Sequence, residues 1–190
     1  MMRAAMIPAS MLEERRRLGH DRFDEVWEGV LHMVPPPPTV HKRVESNLQD
    51  VLKRIVAPRG FEVFHDPGLY DPAVPGQASY RVPDLAVVAS EHLTMRGIEG
   101  LAELVVEIIS PNDESRDKLP FYARVGVREV WLLDPARKSI EVFNGMTAVV
   151  SDARGRITAP SLRLVLAIEG TTLKIKDGAE MHAVDIRDSL

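Results

Sequence analysis

The stretch LVVEII at positions 104–109 is an apolar run of strand length with one acid, Glu107, inside it. Apolar runs of roughly four to eight residues, bounded by turn signals, are typical of buried strands. An ionised carboxylate in such a strand is costly unless a metal ion or a lysine compensates its charge. This stretch therefore predicts a buried strand that carries a functional acid.

A second strand-like stretch, YRVPDLAVV at positions 80–88, contains Asp84 directly after Pro83. The 23 residues that separate Asp84 from Glu107 suffice for a strand, a loop and a second strand beside the first. Two carboxylates on neighbouring strands can hold one hard divalent cation. The alternative is that both acids lie at strand ends and face solvent or a structural arginine.

Lys118 follows Glu107 by 11 residues, near the start of a turn and helix that the pattern predicts over 112–126. Pro120 suits the first turn of that helix, and Gly126 suits its C-terminal cap. From there the ammonium can turn back toward the strand end, orient a water and offset negative charge on phosphorus. A lone lysine in a charged stretch is otherwise a solvated side chain, so the hypothesis depends on both acids and the lysine together.

The rest of the chain predicts a mixed sheet flanked by helices, which is an α+β (mixed α/β) fold. Apolar residues on one face predict a helix over Val40–Val56. Ser10 with Glu13 predicts a capping box and a short helix over 11–18. The other predicted elements are a hairpin around Glu28-Gly29, strands at 61–64 and 130–133, a hairpin of 139–143 with 147–150, and a loop at 66–79.

Length and composition narrow the class of protein. The chain has 190 residues, which predicts one domain over 1–190, with helix 10–19 as an appendage and a core at about 23–150. No cysteine means no disulfide, thiolate nucleophile or cysteine-based zinc site. The net charge of −4 argues against binding nucleic acid by bulk charge alone.

The sequence also predicts a location and excludes several motifs. No stretch approaches the roughly 20 apolar residues that span a bilayer, and the N-terminus lacks a signal-peptide core. We therefore expect a soluble, cytoplasmic protein with no membrane partner. The sequence contains no phosphate-binding glycine loop, no nucleophile-elbow serine and no paired-histidine zinc spacing.

An ordered set of short motifs resembles one known family. The motifs are Pro83-Asp84, EIISP at 107–111, DK at 117–118, YA at 122–123 and GVREVWLLDP at 126–135, with EVWEG at 25–29 and His41 upstream. From about 23 to 143 the chain resembles the Uma family of restriction-endonuclease-like proteins, formerly a domain of unknown function, in the PD-(D/E)xK superfamily. The resemblance implies a core sheet with flanking helices, an endonuclease acting on DNA, and a homodimer.

The resemblance also implies a site. Asp84 and Glu107 would be metal ligands for Mg²⁺ or Mn²⁺, together with the backbone carbonyl of Ile108. The superfamily lysine would fall at position 109, where this sequence has Ile109. The Uma-type pattern resembles this case, and a lysine on the following helix, here Lys118, would take the role of positioning the attacking water.

Two further catalytic candidates lie upstream. His41 could touch a scissile phosphate or a metal-bound water, and it shares a helix face with Glu45 at i, i+4 spacing. Glu25 could add a carboxylate, because the superfamily often has an acid on or near its first helix. The alternatives are a local hydrogen bond for His41 and solvated side chains for both glutamates.

Two other functions stay open at this point. One is a catalytically inactive nuclease fold that serves as a binding or assembly module, which the absence of a lysine at position 109 favours. The other is a structural protein that uses the hairpin over 139–150 as a dimer edge. Binding of Mn²⁺ separates an active enzyme from a silent module.

Overall fold

The structure is a computed structural model that describes residues 2–4, 9–19, 21–74, 79–110 and 114–189. Within these ranges it contains three α-helices and seventeen strands. The helices are α1 (Ala9–Arg17), α2 (Thr39–Val56) and α3 (Leu119–Val125). In chain order the strands are β1 (Met2–Ala4), β2 (Glu25–Trp27), β3 (Val30–Met33), β4 (Phe61–His65), β5 (Leu69–Tyr70), β6 (Tyr80–Arg81), β7 (Leu85–Ala89), β8 (Leu93–Thr94), β9 (Gly97–Glu99), β10 (Leu104–Ile108), β11 (Glu129–Asp134), β12 (Ser139–Asn144), β13 (Thr147–Ala148), β14 (Ile157–Ala159), β15 (Leu164–Glu169), β16 (Thr172–Asp177) and β17 (Glu180–Asp185).

The central sheet has six strands in the order β13-β12-β11-β10-β7-β4. Strands β10 and β11 are parallel, and the other neighbours are antiparallel. The mixed sheet with its helices confirms the predicted α+β fold. The strand that carries Glu107 is therefore an inner strand, hydrogen-bonded on both sides.

Helices cover the two faces of this sheet. Helix α2 buries its apolar stripe, including Leu48 and Leu52, against the face that carries Val106 and Ile108. Helix α3 packs Phe121 and Tyr122 against the opposite face, near Val105. Because side chains alternate along a strand, Glu107 points with Val105 toward α3.

Two further sheets complete the described fold. One has the order β1-β3-β2-β6-β5-β9-β8 and contains the predicted hairpin at Glu28-Gly29 as β2 and β3. The other, β14-β15-β16-β17, packs Leu164, Leu166 and Ile175 into the same hydrophobic cluster as α2. That residues 1–190 form a single domain stays a prediction.

The predicted strand over 80–88 is wrong in one respect, because the chain breaks there. Strands β6 and β7 belong to different sheets, and residues 82–84 lie between them. Pro83 has no N–H to donate to a ladder, and the N–H of Val82 donates to the carboxylate of Glu25 instead. The break leaves Asp84 outside the ladder, directly before β7.

Other boundaries also differ from the predictions. Ser10 lies inside α1, so it does not cap that helix. The predicted loop at 66–79 contains the short strand β5. Lys118 ends a 3₁₀ turn over Ser115–Lys118 that leads into α3, and residues 112 and 113 of the turn and helix predicted over 112–126 lie outside the described residues.

Gly126 adopts φ +91° after α3 and ends this helix as predicted. Pro120 is the second residue of α3, where its missing N–H breaks no helical hydrogen bond. No helix in the described part of the chain is both long and apolar enough to cross a membrane.

Candidate active site

A cavity of about 190 Å³ opens at the carboxyl end of β10. Side chains from both faces of the central sheet and from the β2–β3 hairpin meet there. The six residues that the sequence and the resemblance indicate all line this one cavity: Glu25, His41, Asp84, Glu107, Ile108 and Lys118.

Asp84 lies beside β10 because β7 pairs with β10. In this antiparallel ladder Leu85 is opposite Val106, so one further step of the register brings Asp84 opposite Glu107. The Oδ2 atom of Asp84 accepts a hydrogen bond of 2.6 Å from the N–H of Ile108. The two acids therefore reach the cavity from adjacent strands.

Glu107 is only 3% exposed, and polar groups surround its carboxyl. The Lys118 ammonium donates to its two oxygens at 3.1 and 3.2 Å, and the Tyr122 hydroxyl donates to Oε1. Burial raises the pKa of Glu107 to about 8, although the charge of Lys118 acts in the opposite direction. Burial therefore favours the protonated carboxyl of Glu107, whereas the Lys118 ammonium or a bound cation favours its ionised form.

Lys118 links Glu107 to Glu25. Its Nζ atom lies 2.9 Å from Oε1 of Glu25, which is itself fully buried. Burial alone would lower the pKa of Lys118, but the charges of Glu107 and Glu25 outweigh it and raise the pKa. The lysine therefore stays protonated and acts as the internal cation of the site.

Glu25 is fixed by two more donors. Its Oε2 accepts from the Trp27 indole N–H at 2.7 Å, and its Oε1 accepts from the Val82 N–H at 2.8 Å. The second bond ties the hairpin to the segment that leads into Asp84. Glu25 comes from strand β2 and not from a helix.

His41, near the start of α2, reaches Asp84 from the other face of the sheet. Its Nε2 lies 2.7 Å from Oδ1 of Asp84, and its Nδ1 lies 3.1 Å from the Ser110 hydroxyl. Burial alone would lower the pKa of His41, but the hydrogen bond and charge of Asp84 raise it above its ordinary value. An imidazolium paired with Asp84 is therefore favoured.

Glu45 lies one helical turn beyond His41 and bonds mainly to Lys42, whose Nζ is 2.6 Å away. Burial raises the pKa of Glu45. His41, Glu45 and Asp84 nevertheless offer donor atoms that all lie within 4.8 Å of one another. This group is a second place where a cation could bind, and it shares Asp84 with the first.

The donor set fits a hard divalent cation. The carboxylates of Asp84 and Glu107 and the carbonyl of Ile108 are oxygen ligands of the kind that Mg²⁺ and Mn²⁺ prefer. Both carboxylates already have hydrogen-bonding partners. Lys118 donates to Glu107, and Asp84 pairs with His41 and accepts from the Ile108 amide. A divalent cation would therefore take the place of these groups as the charge partner of the two carboxylates.

Sequence reasoning missed several residues of this cavity. Tyr122 belongs to a quoted motif, and its spacing of four from Lys118 is the signal that could have placed it beside Glu107. The Ser115 hydroxyl donates to Glu107 at 3.5 Å. Asp66 lines the cavity directly after β4, at the start of the predicted loop, where the sequence carries no signal of a site. Pro35–Pro38 also lines the cavity, although the sequence indicates only a stiff connector.

The family model of Uma2, described as "Putative restriction endonuclease", matches residues 12–171. The chain belongs to the Uma2 family. This confirms the resemblance that the ordered motifs indicate.

A solved structure supports the same fold. It is the crystal structure of a "putative nuclease belonging to DUF820" from Anabaena variabilis ATCC 29413, with a TM-score of 0.61 and 20% sequence identity over 74% of this chain and 83% of that chain. At this identity the likeness shows a shared fold alone. No curated protein matches the chain.

Proposed function

We propose that this Uma2-family protein is a metal-dependent endonuclease that hydrolyses phosphodiester bonds in DNA. The observation that supports the proposal is the meeting of Asp84, Glu107 and Lys118 around one cavity, although they come from three separate segments. Asp84, Glu107 and the Ile108 carbonyl would hold Mg²⁺ or Mn²⁺. A divalent ion there would polarise a phosphoryl oxygen and lower the pKa of water.

The chain's own groups would do the rest. Lys118 would orient the attacking water and offset the negative charge that develops on phosphorus. Water adds its oxygen to phosphorus in line, the bond to the 3′ oxygen breaks, and the products are a 5′ phosphate and a 3′ hydroxyl. Glu25 would keep Lys118 in place, and His41 would fix the rotamer of Asp84.

Two observations favour a second function, an inactive nuclease fold that binds or assembles without cleaving. Lys118 already satisfies Glu107 without any ion, and position 109 carries isoleucine in place of the superfamily lysine. Such a module need not bind Mn²⁺. Calorimetric titration with Mn²⁺ separates the two, because the endonuclease must bind it.

The proposal is tested by Mn²⁺-stimulated cleavage of a supercoiled plasmid and of labelled oligonucleotides. Asp84→Asn and Glu107→Gln should each reduce cleavage at least about 100-fold, because each removes a charged ligand. Glu141→Gln is the matched control, since the Glu141 side chain is half-exposed and pairs with Arg116 at the surface. Unchanged cleavage in either site variant would exclude these ligands.

The homodimer and the cytoplasmic location stay predictions. Sedimentation of the purified protein measures the first, and fractionation of cells measures the second.

A further inference from the structure

Part of the cavity lining is apolar and plays no role in the chemistry proposed above. It consists of Phe23 and the segment Val34–Pro38, which we call the proline wall. Proline has no backbone N–H, so Pro35–Pro38 offers pyrrolidine rings and no amide donors to a phosphate. Such a wall suits the flat, apolar face of a base or sugar better than it suits a phosphodiester.

The proline wall is held at both ends. At its start the Val34 N–H donates to Asp24 at 3.1 Å, and Arg15 binds the same carboxylate at 2.5 and 3.1 Å. At its end the carbonyl of Pro38 accepts from the Lys42 N–H in the first turn of α2. The proline rings fix φ between these anchors, so the wall is formed before any ligand arrives.

Positive charge lies next to the apolar surface. The Arg22 guanidinium is 5.5 Å from the centre of the Phe23 ring and 4.0 Å from Asp66, and its side chain is 63% exposed. The Lys42 ammonium is 5.2 Å from the same ring, but Glu45 and Asp66 already bind it at 2.6 and 2.7 Å. The exposed Arg22 therefore supplies the cation, and an aromatic ring beside a cation is the combination that single-strand-binding proteins use for a base and its neighbouring phosphate.

The catalytic groups are recessed behind this surface. Glu107 is 3% exposed, and the side chain of Asp84 is 15% exposed. A continuous duplex keeps its bases stacked inside and presents only backbone and groove edges. An unpaired nucleotide presents a base face as well, which can stack on an aromatic side chain.

We propose that the proline wall binds the base of an unpaired nucleotide and thereby directs this enzyme to single-stranded DNA, including single-stranded tails on a duplex. The inference rests on the proposed nuclease function and names its substrate class. Phe23 is the stacking residue, and Pro35–Pro38 complete the surface beside the acids.

Binding is measured first, without cleavage. A single-stranded oligonucleotide labelled with 2-aminopurine is titrated with the protein in Ca²⁺, and the same sequence is tested as a duplex. The single strand should bind at least about tenfold more tightly, and Phe23→Ala should remove about tenfold of that affinity. Phe23→Trp should retain the affinity, and Met95→Ala, a fully exposed residue on the β8–β9 hairpin, should change nothing.

Cleavage then locates the reaction. A duplex with a single-stranded tail is incubated with Mn²⁺, and the cut sites should map to the tail or its junction. Equal binding of single strand and duplex by the unaltered protein, or unchanged single-strand binding in Phe23→Ala, would overturn the inference. Selective binding without any cleavage would support base binding at the proline wall and contradict the nuclease function. Equally fast cleavage inside a continuous duplex would support the nuclease function and contradict the preference for single strands.

Discussion

The ammonium of Lys118 lies 3.1 and 3.2 Å from the two carboxylate oxygens of Glu107, in the interior of the protein. The same ammonium is 2.9 Å from Glu25, so one cation serves two buried carboxyl groups. This relationship gives Lys118 two tasks. It stabilises the fold before a metal arrives, and it lies beside the reacting groups afterwards.

Lys118→Met should unfold more easily than the unaltered protein when metal is absent. The substitution leaves the Glu25 carboxylate buried without its cation, 2.9 Å away in the unaltered protein, which typically costs about 3–5 kcal/mol. Mn²⁺ should raise the melting temperature of this variant more than that of the unaltered protein, because no ammonium competes for Glu107. Thermal unfolding in EDTA and in Mn²⁺ measures both effects.

Lys176→Met is the matched control, because Lys176 is exposed on β16 and its loss should change stability by less than about 0.5 kcal/mol. Equal melting temperatures of Lys118→Met and the unaltered protein in EDTA would refute the compensating role.

Metal-free stability should fall as the pH rises from about 5 to about 8. Burial raises the pKa of Glu107 from an ordinary value near 4.5 to about 8. The folded protein therefore keeps a proton that the unfolded chain releases over this range, so the contribution is full below about 4.5 and is lost as the pH approaches 8. Glu107→Gln should remove most of this slope in urea unfolding measured in EDTA. The same slope in both proteins would mean that another group is responsible.

Arg81→Ala should destabilise the hairpin that carries Glu25. The Arg81 guanidinium is buried between the rings of Trp27 and Phe121, 4.4 and 4.2 Å from their centres, and it donates to the Val26 carbonyl at 2.9 Å. Loss of these contacts should cost about 2–4 kcal/mol in urea unfolding. Arg137→Ala, whose side chain is 82% exposed, is the control. A change below about 0.5 kcal/mol in Arg81→Ala would show that the stacked guanidinium contributes little.

Much of the fold could be predicted from local pattern. The apolar run around Glu107 predicts a buried strand because apolar runs of this length are typical of buried strands. In the structure this run is the inner strand β10. The apolar face of α2 and the cap at Gly126 follow from the same kind of local rule. The break at Pro83 was harder to foresee, because the N–H of Val82 leaves the ladder only for a carboxylate distant in the chain.

The candidate site depended more on resemblance and on tertiary contacts. Nothing local shows that Lys118 faces Glu107, and it is a candidate only through its spacing after the two acids and through the ordered motifs. Arg81 reads as an ordinary charged residue, yet two aromatic rings from β2 and α3 enclose it. The local sequence of the proline wall predicts only a connector, because its place in the cavity depends on which distant side chains pack beside it.

The position of the metal tests the central claim most directly. A crystal of the protein soaked in MnCl₂ would locate the ion by its anomalous scattering. We expect an ion bound by Asp84, Glu107 and the carbonyl of Ile108, with Lys118 released from Glu107 toward the cavity. An ion held instead by His41, Glu45 and Asp84 while Lys118 stays on Glu107, or no ion in this cavity at all, would contradict the account.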